Sequence, residues 1–161
     1  MNEQELQEHI IGLVLAFGAQ WNEHEQYVHA QGKAQTAARS SFDSNEEKFA
    51  WLKANPQVDW FAEFGKRVTP LFAAYCTDKK RVYGGNAPGR MGFPAKYDGI
   101  ENPVSTTVVL KNKNRAEVHI VTDTRFRDEY LFVLLYKAEQ WRIDSYKGRR
   151  YGGEKWNLKI L

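Results

Sequence analysis

The sequence predicts an α+β fold in which N-terminal helices pack on a curved antiparallel sheet. In the first half, large apolar residues recur at steps of three and four, the period of helices with one buried stripe. After Thr77 the period becomes two, and short runs rich in Val, Ile, Thr and aromatic residues follow one another across brief turns. No helical pattern returns between those runs, so parallel crossovers are excluded and the helices must lie together on one side of the sheet. The 161 residues, 42% of them apolar, are enough for one domain spanning residues 1–161, and no internal repeat or low-complexity tract divides them.

The first helix is marked by Leu6, Ile10, Leu13, Val14, Phe17 and Trp21, which form one apolar stripe. Glu3, Glu5 and Glu8 precede its apolar centre, the opposite of the charge a secretion signal needs. Residues 31–42 hold few large apolar side chains and read as a connecting loop. Ser44 followed by Glu47 is a capping box that opens a short helix carrying Phe49, Trp51 and Leu52 and stopping near Asn55, ahead of Pro56. Val58, Phe61, Phe64, Val68, Leu71, Phe72 and Tyr75 mark a third helix, which Pro70 should kink or split.

Residues 84–103 contain five glycines and three prolines together with Met91, Phe93 and Tyr97, and read as a long ordered loop. Strands are expected at residues 104–110, 116–122, 130–136 and 141–146. The second alternates Val118 and Ile120 with Glu117 and His119, so one of its faces is wet. The third is apolar on both faces and should be central and doubly covered. A tight turn at residues 138–140 joins the third and fourth, and the alternation of Trp156, Leu158 and Ile160 adds an edge strand.

Several function classes lose support at once. No run approaches the 18 or so apolar residues of a bilayer span. A single cysteine, Cys76, rules out an internal disulfide and is consistent with a reducing compartment such as the cytoplasm. It ends an apolar helical stretch, where a free thiol packs as a small hydrophobe. Residues 84–90, GGNAPGR, lack the lysine and hydroxyl residue of a phosphate loop. His24, Glu25 and His29 are too few for a metal site and read as a solvated helix end, so no metal or cofactor is expected.

Charge is unevenly divided. Residues 1–76 carry 6 Lys and Arg against 10 Asp and Glu, and residues 77–161 carry 17 against 10. The positive residues are spread among turns, and one group of them, Lys147, Arg149, Arg150 and Lys155, is interleaved with Tyr146, Tyr151 and Trp156. Cations beside exposed rings are the ingredients of a protein contact. They also suit nucleic acid, but no motif of the common nucleic-acid binders is present, so a nucleic-acid partner is not expected. His119 and Asp144 are the candidates for acid or base work, provided they enter a cavity between sheet and helices.

Helices, a glycine-rich loop and a meander ending in WRIDSYK (residues 141–147) resemble the nuclear transport factor 2-like superfamily, whose members form a cone from helices and a bent sheet. Within it the chain is most similar to bacterial immunity proteins encoded beside polymorphic toxins. The similarity is carried by residues 97–147, through YDGIENP, AEVHIVTD and DEYLFVLLYKAEQWRIDS. The resemblance implies a cone-shaped fold and a cytoplasmic protein that occludes one cognate toxin. Candidate contacts are Arg90, Tyr97, Arg149, Arg150, Tyr151 and Trp156. Isomerase and dehydratase relatives place an Asp or His in the cone, which keeps His119 and Asp144 as the residues of an alternative enzymatic reading. A non-catalytic ligand-binding module, dimeric through the sheet, is the third.

Overall fold

The computed structural model describes residues 1–81 and 91–161, so GGNAPGR and Arg90 lie outside the described residues. Helix α1 (Glu3–Arg39) starts at a full capping box, in which Asn2 Oδ1 accepts from the Glu5 N–H at 2.9 Å and the Glu5 carboxylate accepts from the Asn2 N–H at 2.8 Å. Ile10, Val14, Phe17, Trp21 and Val28 are buried along one stripe. The helix runs on to Arg39, through residues read from sequence as a loop. Ala34, Gln35, Ala37 and Ala38 are strong helix formers and no proline interrupts them, so scarcity of large apolar residues reflects exposure there and not irregular backbone.

Helix α2 (Asn45–Ala54) starts at Ser44, whose Oγ accepts from the Glu47 N–H at 3.2 Å, and it ends ahead of Pro56. It buries none of its residues; Phe49 stays 67% exposed. Helix α3 (Trp60–Tyr75) is capped by Asp59, which accepts from the N–H groups of Phe61 and Ala62. Pro70 lies inside α3 without splitting it. Phe64, Val68 and Leu71 face α1 within the common core.

Five antiparallel strands follow in chain order across the sheet: β1 (Ser105–Asn112), β2 (Arg115–Val121), β3 (Glu129–Lys137), β4 (Gln140–Arg149) and β5 (Asn157–Lys159). Register places Ala116 opposite Leu134, Val118 opposite Phe132 and Ile120 opposite Tyr130, and these pairs form the inner face against the helices. Tyr130, Phe132 and Leu134 are joined on that face by Ile143 and Tyr146 of β4. β3 is the central strand, but its second face is not roofed by any helix among the described residues. Val133 is buried there, while Leu131 and Leu135 are half-buried. The expected double cover is therefore corrected to an outer face that is only partly buried.

A bulge bends β4. Val133 pairs with Ser145 and Leu134 with Ile143, which leaves Asp144 as the extra residue. Beside it, Cys76 forms a parallel bridge to Ile143, and the Thr77 N–H donates to the Ile143 carbonyl at 2.8 Å. The chain leaving α3 is thus stitched to the edge of β4. The β3–β4 hairpin closes through Ala138 and Glu139, both at positive φ (48° and 61°), the two-residue geometry that matches strand twist. In the tail, Leu158 and Ile160 remain exposed, so their alternation marks a short edge strand, while Leu161 beyond it is buried in the common core.

Candidate functional site

The interior of the cone is filled by rings. Tyr97, fully buried, has ring centroids of Phe17, Trp21, Tyr130, Phe132 and Tyr146 between 5.2 and 6.0 Å away. Its hydroxyl is buried with no hydrogen-bond partner among the described residues. Burial, with Tyr146 close by, pushes that hydroxyl well above the ordinary phenol range, so it stays neutral. Tyr97 is consequently not a surface anchor: as a candidate toxin contact it is corrected to a core residue.

Two side chains of α1 hold the segment around Tyr97 in place. Asn22 pairs with the Tyr97 backbone and also donates to Glu101 at 2.8 Å. The carboxylate of Glu25 accepts from the Lys96 N–H at 2.7 Å. Burial raises the Glu25 carboxyl, opposed by the backbone bonds of Lys96 and Gly92 and by the Lys96 charge. Glu25 is 4% exposed, so the solvated helix end expected around it is also corrected. A gap in the sequence pattern of α1, polar residues on a buried stripe, marked this clamp.

Neither proposed acid–base residue enters that interior. His119 alternates with Val118 and Ile120 and therefore faces away from the helices, where its Nε2 lies 2.6 Å from the Glu129 carboxylate. Glu129 also accepts from Arg149 at 3.2 Å. Burial alone would raise the Glu129 carboxyl, but the hydrogen bonds from Arg149 and His119, with their charges, outweigh it and hold it below the usual range. Asp144 sits at the bulge, bonded to the Thr77 hydroxyl and to Lys79 Nζ, both at 2.9 Å. Arg142, two residues earlier in β4, donates to the carbonyls of Ala73 and Cys76 and not to Asp144 among the described residues. As cavity residues, His119 and Asp144 are corrected by the pleat and by the bulge respectively. Cys76 is buried at the same junction, and burial pushes its thiol up to about 12, which leaves it an inert packed group.

Outside the cone, two loops meet at one end of the sheet. Because β2 and β4 run the same way across β3, the β2–β3 connection and the end of β4 lie side by side, and the Tyr151 N–H donates to the Phe126 carbonyl at 3.2 Å. The guanidinium of Arg150 lies 4.3 Å over the Phe126 ring, Arg127 lies 4.9 Å over Tyr151, and Arg149 lies 4.1 Å over Trp156. Trp156 in turn meets His119 edge-on. Phe126 is 50% and Tyr151 71% exposed. Four of the sequence-predicted contacts, Arg149, Arg150, Tyr151 and Trp156, are therefore brought together. Sequence reasoning missed Arg125, Phe126 and Arg127; the register of a meander, which sets alternate turns at the same end, was the signal that finds them.

The arrangement is an exposed arginine–aromatic patch on loops that a rigid sheet presents, next to a cone whose centre is packed with side chains. That is the layout of a binding scaffold. Residues 40–159 match the family described as NTF2 fold immunity protein, and the chain belongs to that family. It is similar to Immunity protein RhsIA of Dickeya dadantii (strain 3937), with 25% identity over 91 residues, which is 56% of this chain and 65% of that relative. The similarity thus covers less than two thirds of the relative's length. No solved structure matches the chain. The helices followed by a five-stranded antiparallel sheet agree with the family fold. No helix among the described residues is long and apolar enough to cross a membrane.

Proposed function

We propose that this chain binds one cognate bacterial toxin in the cytoplasm and neutralises it by occlusion, without catalysis. The reading is supported by membership of an immunity-protein family and by likeness to a relative named as an immunity protein. The observation that carries it is the arginine–aromatic patch of Phe126, Arg127, Arg149, Arg150, Tyr151 and Trp156, in which the cations are already seated on rings before any partner arrives. Such preorganisation lowers the ordering cost of association, and Arg, Tyr and Trp are the residues that dominate interface energetics. The packed cone, the hydrogen bond that holds His119 to Glu129 outside it, and the Asp144–Lys79 ion pair weigh against the enzymatic alternative. Co-expression with the toxin encoded beside this chain is expected to restore growth and to yield a co-purifying pair. Failure of rescue with every adjacent toxin candidate would overturn the reading.

A further inference from the structure

A second surface feature lies at the opposite end of β4. Between the C-terminal end of α3 and the β3–β4 hairpin is a cleft of about 730 Å³ with Phe72, Ala73 and Cys76 on its apolar side. Five cations line it: Lys79, Lys80, Arg81, Lys137 and Arg142. Two of them are fixed by backbone, because Arg81 donates to the carbonyls of Thr77, Lys79 and Asp144, and Arg142 to those of Ala73 and Cys76. Lys79 is taken by Asp144. Lys80 and Lys137 are exposed and form no ion pair among the described residues. Asp78 is the lining's own acidic residue, so the cleft keeps a positive surplus.

We infer that this cleft receives an acidic peptide segment of the bound partner, which rests on the toxin-binding reading above and names the chemistry of a second contact. Flexible lysines around an apolar floor suit carboxylate side chains spaced along a chain, with the carbon stems against Phe72 and Ala73. Arg142 and Arg149 stand seven residues apart on β4, about 23 Å at strand rise, so one partner of ordinary interface size reaches both the cleft and the arginine–aromatic patch.

The test is calorimetric titration of the neighbouring toxin into the full chain, at low and raised salt. The double variant Lys80→Ala with Lys137→Ala is expected to bind roughly tenfold more weakly, with a shallower salt dependence, while Lys80→Arg with Lys137→Arg binds as the parent does. Unchanged affinity in the alanine variant, with Arg150→Ala still weakening binding, overturns the cleft and leaves the toxin-binding reading standing. No binding by the parent chain overturns both. Inorganic pyrophosphate titrated alone is the remaining arm: heat that the alanine variant loses, with toxin affinity untouched, makes the cleft a phosphate site and overturns the peptide.

Discussion

The carboxamide of Asn22 pairs with the backbone of Tyr97 as a strand would: its Nδ2 donates to the Tyr97 carbonyl at 2.8 Å, and the Tyr97 N–H donates to its Oδ1 at 3.0 Å. Both residues are fully buried and stand 75 positions apart. The pair fastens the segment before β1 to the middle of α1 and thereby sets the depth of the Tyr97 ring in the cone. Asn22→Leu strands both backbone groups away from water, since an isobutyl side chain neither donates nor accepts. A loss of about 2–4 kcal/mol in urea unfolding is expected. A loss under about 0.5 kcal/mol would show that ring packing and the Glu25–Lys96 bond hold the segment without Asn22.

Tyr97 separates the two contributions. Its hydroxyl is buried without a partner among the described residues, so Tyr97→Phe removes an unsatisfied group and is expected to leave stability unchanged or raise it by up to about 1 kcal/mol. Tyr97→Ala removes the ring that five others touch, and about 3–5 kcal/mol should be lost. Denaturant titration of both variants reads the contrast. Destabilisation by the phenylalanine variant beyond about 1 kcal/mol would mean that the hydroxyl is bonded in solution, through water held inside the cone.

What was legible in sequence follows from which signals are local. The Ser44 cap and the alternation of β2 act within a few residues, and the structure repeats them. Tyr97 is different, because an aromatic residue in a glycine-rich segment has the same composition whether it anchors a partner or plugs a core. Only the long-range bonds of Asn22 and Glu25 decide between those roles. Asp144 misled for another reason. A β-bulge shifts the register by one residue, so strict alternation cannot place Asp144, and the extra residue turns to Thr77 and Lys79 and not into the cone. The patch was half legible: Arg149 to Trp156 are contiguous enough to be seen as a cluster, whereas Phe126 joins them only through the sheet.

The bulge also makes stability depend on pH in a defined direction. Burial would raise the Asp144 carboxyl, but the hydrogen bonds of Lys79 and Thr77 and the charges of Lys79 and Arg81 together hold it below 3.8. With the folded value below the unfolded one, the unfolded chain takes up the proton first on acidification. The contribution of Asp144 is therefore complete above the unfolded value and is lost as pH falls through the folded one. Lys79 is 44% exposed, so screening limits the gain to under about 1 kcal/mol. Asp144→Asn is expected to cost that much at neutral pH, with the gap to the parent narrowing in urea unfolding as pH falls through 3.8 and then through the lower folded value. A gap that stays constant down to about pH 3 would assign the effect to packing at the bulge instead of charge.

The patch itself is expected to separate affinity from stability. Tyr151 is 71% exposed and Arg150 seats its guanidinium on Phe126, a neighbour on another loop, so neither supports the core. Arg150→Ala and Tyr151→Ala should each shift unfolding by less than about 0.5 kcal/mol. Against the neighbouring toxin each should cost about 2 kcal/mol, roughly thirtyfold in Kd, and the double variant less than the sum because the Arg150–Phe126 and Arg127–Tyr151 stacks share one loop pair. Tyr151→Phe keeps the face on which Arg127 rests and should bind within about threefold of the parent. Surface plasmon resonance with immobilised toxin reads these differences, mainly in the dissociation rate, since the loops are already ordered against one another before contact. Equal binding by parent and both alanine variants would move the interface away from this end of the sheet.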